Sequence, residues 1–219
     1  MEKDVAILMA DLSGYTAMTD VHGGASAAKL VNKYMDLVDK SRFGNTQVAQ
    51  RIGDQVVMMS EEPQDIIVTV QQLSASTVEE HHFLSIHAGI HYGSIFLDNG
   101  NLFGSTINIA SRIMNLANSG QVLCSSAFVN IVQSKSDASF KFYGKHKLKN
   151  VMNEVEVFEL NLSHQSSLFY TDPVCHMLVD PSKGNHFTTF NGTTFHFCSN
   201  HCMEIFKLTP EQYHSLQTS

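Results

Sequence analysis

Asn108 and Arg112 stand four positions apart in the stretch Asn101-Leu-Phe-Gly-Ser-Thr-Ile-Asn-Ile-Ala-Ser-Arg112. On a helix that spacing puts an amide and a guanidinium on one face, one turn apart. Ile107, Ile109, Ile113 and Leu116 can bury the opposite side. Such a pair can hold a ligand from fixed positions; equally, the Arg can cap a neighbouring strand while the Asn faces water. Asp11 and Asp54 raise a second possibility. Asp11 ends the apolar run Val5–Ala10, and Asp54 sits in Gly53-Asp54 between two strand-like segments. If those strands are neighbours, the carboxylates face each other and offer hard oxygen ligands for two metal ions about 3.5–4 Å apart. Taken singly, each Asp also suits a helix cap or a turn. The turn after Asp11, Leu12-Ser-Gly-Tyr-Thr16, is small and polar enough to lead tightly into a helix start and to present backbone N–H groups to phosphate oxygens.

The elements that must position these residues follow from periodicity. Val5–Ala10 reads as a buried strand, and Gly23-Gly24 precedes a helix over Ala27–Val38, whose apolar residues keep helical spacing. Gln47–Met59 reads as a hairpin with Asp54 at its tip. Pro63 opens a helix to about Val78, and Leu84, Ile86, Ala88 and Ile90 alternate as a half-buried strand does. Asp98-Asn-Gly-Asn101 is turn chemistry, and Gly104 opens the helix carrying Asn108 and Arg112. A strand at Gln121–Ser125, a short helix from Ser126 and two strands near 141–148 and 155–160 complete the order β-α-β-β-α-β-α-β-α-β-β. That order predicts an α/β sandwich with helices on a mixed sheet. Residues 161–171 lack periodicity and read as a linker between a first domain at 1–160 and a compact unit at 172–214.

Composition sets these two units apart. Three of the four cysteines, Cys175, Cys198 and Cys202, and six of the twelve histidines lie after residue 160. In a chain with no signal-peptide layout, a Cys/His-rich tail points to metal or redox chemistry before structural disulfides. Cys198 and Cys202 are four apart, so on a helix their sulfurs share a face; as reduced core residues they would do the same. The net charge of −7 argues against a broad grip on nucleic acid. No apolar run approaches the roughly 20 residues a membrane span needs. The expectation is a cytoplasmic protein.

The motifs together resemble class III nucleotidyl cyclases. Ile7-Leu-Met-Ala-Asp11-Leu-Ser-Gly-Tyr-Thr16 is similar to that family's first metal-binding segment, and Gln50-Arg-Ile-Gly-Asp54 to its second. His87-Ala-Gly-Ile-His-Tyr-Gly93 resembles the strand before the family's dimer-spanning loop. Leu102-Phe-Gly104 through Arg112 resembles its transition-state helix; Gly120–Ser125 and Lys147–Val151 match later strands. The resemblance spans about residues 4–160 and implies a ferredoxin-like α/β fold working as a head-to-tail homodimer. It further implies that Asp11 and Asp54 bind two Mg²⁺ or Mn²⁺ ions, that Gly14, Tyr15 and Thr16 hold phosphates, and that Asn108 orients the ribose. Arg112 would stabilise charge on the α-phosphate, and Lys149 would meet the terminal phosphates. The implied reaction makes cyclic AMP and diphosphate from ATP. At the base-reading positions the chain has Gln50 and Asn101 where adenylate cyclases place Lys and Asp and guanylate cyclases Glu and Cys. GTP, a pyrimidine nucleotide, or a weak or inactive nucleotide-binding module are therefore alternatives.

The tail resembles the YHS domain, a relative of the TRASH metal-binding modules, in Asp172-Pro-Val-Cys175-His-Met-Leu-Val179, Phe190-Asn-Gly192 and Phe195-His-Phe-Cys198-Ser-Asn-His-Cys202. That family usually has Gly where this chain has His176. The likeness implies a three-thiolate set for Zn²⁺ or Cu⁺, with His176, His196 or His201 as a possible fourth ligand, and a regulatory role through metal or redox state.

Overall fold

The computed structural model describes residues 2–98, 101–162, 169–183 and 186–214. Most of the stretch read as a linker (163–168) and the centre of the turn at 99–100 lie outside them. β1 (Glu2–Leu12) leads through a tight turn into α1 (Tyr15–Ser41), then β2 (Gln47–Ile52), β3 (Gln55–Ser60) and α2 (Pro63–Glu79). β4 (Ile86–Asp98), β5 (Asn101–Phe103), α3 (Ser105–Met114), β6 (Val122–Ser125), α4 (Ser126–Val132), β7 (Phe140–His146) and β8 (Val155–Leu160) follow. The sheet runs β2-β3-β1-β4-β6-β8-β7, with β5 folded back on β4. Among the described residues only β4 and β6 pair in parallel, the crossover being made through α3. Gly93–Leu97 continues β4, which reaches Asp98 as one long strand paired with β1.

β1 is apolar from Val5 to Ala10 because both of its faces are covered there. Ala6, Leu8, Ala10 and Leu12 pack with Leu30, Tyr34 and Val38 of α1, Ile66, Val70 and Leu73 of α2, and Phe128 of α4. The alternate residues Val5, Ile7 and Met9 meet Ala110 and Met114 of α3 on the other side. Period-two alternation puts Asp11 on this second side.

The glycine pair does not precede α1, as its sequence suggested, but lies within it. The helix starts twelve residues before Ala27, and Gly23 alone leaves helical geometry, at φ 79° and ψ 163°. That region of backbone space is essentially open only to glycine. The helix resumes at once because Ala27, Leu30, Tyr34 and Val38 still have a core to fill.

The tail is a small unit: β9 (Tyr170–Thr171) pairs with β10 (Leu178–Val179), β11 (Phe187–Phe190) with β12 (Thr193–His196), and α5 (Asn200–Leu208) is followed by α6 (Pro210–His214). Its core is aromatic. Phe206 sits among Phe190, Phe195, Phe197 and Tyr213, with ring centroids 4.8–6.3 Å away. Val21 of α1 packs against the same cluster, so the tail leans on the first segment of that helix.

Candidate active site and a cysteine–histidine cluster

β1 delivers Asp11 opposite His87 of β4, and the β2–β3 turn delivers Asp54. Because β3 lies beside β1, the two carboxylates come close enough for each to shift the pKa of the other. Burial raises the pKa of both. For Asp54 the charge of Asp11 adds to burial and carries it to about 6, while for Asp11 the N–H of Leu12, 3.1 Å from Oδ1, works in the opposite direction. Two anions in one half-buried pocket repel, and a shared proton relieves them. A hard divalent cation fits the same pair of oxygen donors and would take that proton's place.

The surroundings are quiet electrically. His87 Nδ1 lies 3.1 Å from Ser13 Oγ; burial lowers the pKa of the ring and Asp54 partly restores it, so it is neutral at pH 7. The hydroxyl of Tyr34 is fully buried and has no hydrogen-bond partner among the described residues. Burial first, then the charges of Asp11 and Asp54, keep this phenol protonated.

Gly14, at φ 85°, caps α1 without any side chain accepting from the helix. The first N–H groups of α1 therefore have no side-chain acceptor, which suits an anion. Thr16 is exposed there, and Tyr15 packs on the core. The tail reaches this turn. A Cβ on Gly14 would lie 2.4 Å from Cβ of His176. His176 itself is left-handed at φ 63°, which explains a position where glycine is usual.

Asn108 is exposed and Arg112 half-buried on α3; Lys149 is exposed in the turn after Leu148, and Gln50 is exposed on β2. Asn101 is the first residue of β5. Among the described residues, no side-chain hydrogen bond or ion pair engages Asn108, Arg112 or Lys149. Nearby elements carry apolar surface: Ile52 at the hairpin tip is 59% exposed, and the cross-strand pair Phe96 and Phe103 are 51% and 53% exposed.

The tail's three cysteines converge, all buried. Cys175 Sγ lies 3.5 Å from Cys198 Sγ, which lies 3.6 Å from Cys202 Sγ. The neighbouring Cys175 and Cys198 thiols lower the pKa of Cys202 from its usual value. Asp172 builds the cluster: Oδ1 accepts from the N–H of Val174 at 2.8 Å and of Cys175 at 3.4 Å, and Oδ2 accepts from Cys198 N–H at 2.8 Å. Ser199 caps α5 by accepting from Cys202 N–H at 3.2 Å. The fourth member is none of the histidines suggested by the sequence. His196 stacks on Tyr170 at 4.1 Å, His201 is exposed and His176 faces Gly14. Instead His22 of α1 joins the group, and its ligand atom and the three sulfurs all lie within 4.8 Å of one another. Sequence reasoning missed His22 and Asp172.

A mixed sheet with two facing carboxylates beside an uncapped helix start, and an Asn/Arg helix after a glycine, defines a nucleotide-handling catalytic domain with a cysteine-rich appendage. The chain belongs to the family of adenylate and guanylate cyclase catalytic domains, whose model matches residues 1–161; a YHS domain model matches residues 170–217. A pH-sensitive adenylate cyclase of Mycobacterium tuberculosis is 24% identical over 161 residues, 72% of this chain and 41% of that protein. The chain thus spans about two fifths of that relative's length. An adenylate cyclase structure from Trypanosoma brucei, determined in its monomeric state, superposes with a TM-score of 0.67 at 18% identity over 74% of this chain and 89% of its own. Over the tail, 42 residues are 45% identical to part of a copper-transporting P-type ATPase of Rhizobium leguminosarum, 19% of this chain and 5% of that one. No described helix is long and apolar enough to cross a membrane.

Proposed function

We propose that the chain cyclises ATP to cyclic AMP and diphosphate at two sites shared between copies of itself, and that its tail binds a soft metal ion. The observation that carries the first part is the pair of half-buried carboxylates Asp11 and Asp54 beside the uncapped start of α1. Two divalent ions, Mg²⁺ or Mn²⁺, held by these carboxylates would supply the charge that acidifies the ribose 3′-hydroxyl and neutralises the triphosphate. The N–H groups of Gly14, Tyr15 and Thr16 donate to phosphate oxygens. Asn108 orients the ribose, Arg112 donates to the α-phosphate as charge builds there, and Lys149 meets the terminal phosphates. The 3′-oxygen then attacks the α-phosphorus in line; its proton goes to solvent and the bond to the departing diphosphate breaks. Positioning and charge stabilisation supply most of the rate in such transfers.

The unpartnered state of Asn108, Arg112 and Lys149 supports a shared site, since a second copy would bring them to the carboxylate pair. The exposed Ile52, Phe96 and Phe103 offer that copy an apolar surface. Gln50, exposed and uncharged, supports a second reading in which the substrate is GTP, because an amide both donates and accepts.

Incubation with Mn²⁺ and each of the four nucleoside triphosphates, with cyclic products separated by chromatography, tests the activity; no product from any nucleotide overturns it. Equal mixing of Asp54→Asn and Arg112→Ala proteins tests the sharing. Half the dimers become mixed and each carries one intact site, so activity returns to about one quarter of wild type. No recovery refutes the shared site.

A further inference from the structure

We infer that His22 of α1 and the tail residues Cys175, Cys198 and Cys202 form a single four-coordinate metal site that fastens the tail to the catalytic domain. The inference rests on the tail being a metal-binding unit and adds the ligand that comes from outside it.

Four of the six distances between the ligand atoms match the edges of a coordination tetrahedron, and all six lie within 4.8 Å. Metal–sulfur bonds of about 2.3 Å and metal–nitrogen bonds of about 2.0 Å around a tetrahedral Zn²⁺ require ligand–ligand edges of about 3.5–3.8 Å. The sulfurs of Cys175 and Cys198 are 3.5 Å apart and those of Cys198 and Cys202 are 3.6 Å apart. His22 Nε2 lies 3.6 Å from both Cys198 Sγ and Cys202 Sγ. One nitrogen at equal distance from two sulfurs is the position a fourth ligand takes in such a set.

The support around the four is equally specific. The Asp172 carboxylate accepts from the N–H groups of Cys175 and Cys198, fixing two ligand-bearing turns with one side chain. Cys202 lies in the first turn of α5, where the helix N-terminus favours a thiolate. The three thiolates are buried and His22 is half-buried, so the site is closed in the manner of a structural ion rather than open for substrate. Softness of the donor set selects Zn²⁺ or Cu⁺ over Mg²⁺, and four ligands on tetrahedral edges favour Zn²⁺.

His22 is also the last helical residue before the break at Gly23. The same segment of α1 begins at Gly14, the turn assigned to phosphate, with His176 packed on it. Metal at the cluster therefore holds two points of one short helix segment against the tail, and the occupancy of a site outside the catalytic centre bears on the phosphate-binding turn.

The test uses the full chain and Co²⁺ as a spectroscopic stand-in for Zn²⁺. Wild type, His22→Ala, His22→Cys and Cys198→Ser proteins are stripped, titrated with Co²⁺ and followed by the visible ligand-field bands and the near-ultraviolet sulfur-to-metal charge transfer. Zn²⁺ affinity is then read by competition with a chelating dye. Wild type is expected to bind one Co²⁺ with intense tetrahedral bands. Loss of a group that only hydrogen-bonds a ligand costs about 10–100-fold in metal affinity, so His22→Ala is expected to lose roughly 100-fold or more. His22→Cys restores tight binding with an added sulfur charge-transfer contribution. That rescue also excludes misfolding as the cause of the loss. Bound Zn²⁺ should raise the melting temperature of the cyclase sheet in wild type and His22→Cys but not in His22→Ala. A wild-type protein that binds no Co²⁺ at the cysteines overturns the metal-binding reading of the tail itself. Binding by wild type and His22→Ala with equal affinity and equal spectra leaves that reading standing and overturns the inference, the fourth ligand then lying elsewhere.

Discussion

Asp54→Asn should make the metal-free protein more stable at neutral pH while abolishing turnover. Asp54 titrates near pH 3.8 in the unfolded chain and near 6 in the folded one. Between those values the folded state holds more protons, so metal-free stability falls as pH rises through the window. The full difference corresponds to ~3 kcal/mol at about 1.36 kcal/mol per pH unit. Asp54 is only half-buried, and solvent screening reduces this to ~1–1.5 kcal/mol. The amide keeps the shape and removes the titration. Urea unfolding in chelator at several values between pH 4 and 7.5 should find the two proteins alike at pH 4 and the variant ahead by ~1–1.5 kcal/mol at pH 7.5. Adding Mn²⁺ should reverse the order at pH 7.5, since only wild type gains the ~2.7 kcal/mol of a ligand at 100 times its Kd. A difference that stays constant across the pH range refutes the shared proton, and with it the electrostatic case for a cation between the two carboxylates.

Other perturbations probe the parts around that pair. Gly14→Ala meets both a left-handed backbone (~1–2 kcal/mol) and the His176 Cβ (~1–3 kcal/mol); adding His176→Gly should recover the second term, and additive urea midpoints would show that the tail is not seated on the turn. Phe103→Glu removes an exposed aromatic from the surface assigned to dimerisation, so sedimentation should report a monomer and cyclic product should vanish; an unchanged dimer would place the interface elsewhere. Phe206→Ala empties the centre of the tail's aromatic cluster at a cost of ~3–5 kcal/mol, and loss of Co²⁺ binding with an intact cyclase sheet is the expected readout.

The sheet was legible because its strands carry their environment in their sequence. An unbroken apolar run made β1 a doubly covered strand, Gly53-Asp54 marked a hairpin, and Asn108 and Arg112 kept their helical offset on α3. α1 was legible at its start, where the turn at Leu12–Thr16 leads into helix, and misread at its glycine pair. Gly23-Gly24 looked like punctuation, yet Met18 is buried in the core and Val21 packs on the tail, and these contacts sustain helix before the break. The metal cluster was half legible. Cys198 and Cys202 announce themselves by spacing, whereas His22 lies 176 positions before Cys198, and no local pattern records a contact made only after two domains pack. Asp172 was equally silent, since an Asp before Pro reads as a turn until its oxygens are seen accepting from two cysteine-bearing loops. Even β9 arose within a stretch that looked unstructured, because its pairing with β10 adds only two residues of ladder.

The break at Gly23 makes Tyr15–His22 a strut of eight residues, about 12 Å long. The strut enters the main core through Met18, and the remainder of α1 is rooted there through Leu30, Tyr34 and Val38. Gly14 and His22 therefore stand at the two ends of one short segment rather than along a 27-residue rod. Glycine at this one position separates that segment from the rest of the helix, so under the proposed roles the helix start assigned to phosphate and the tail's cysteine cluster share one short piece of backbone.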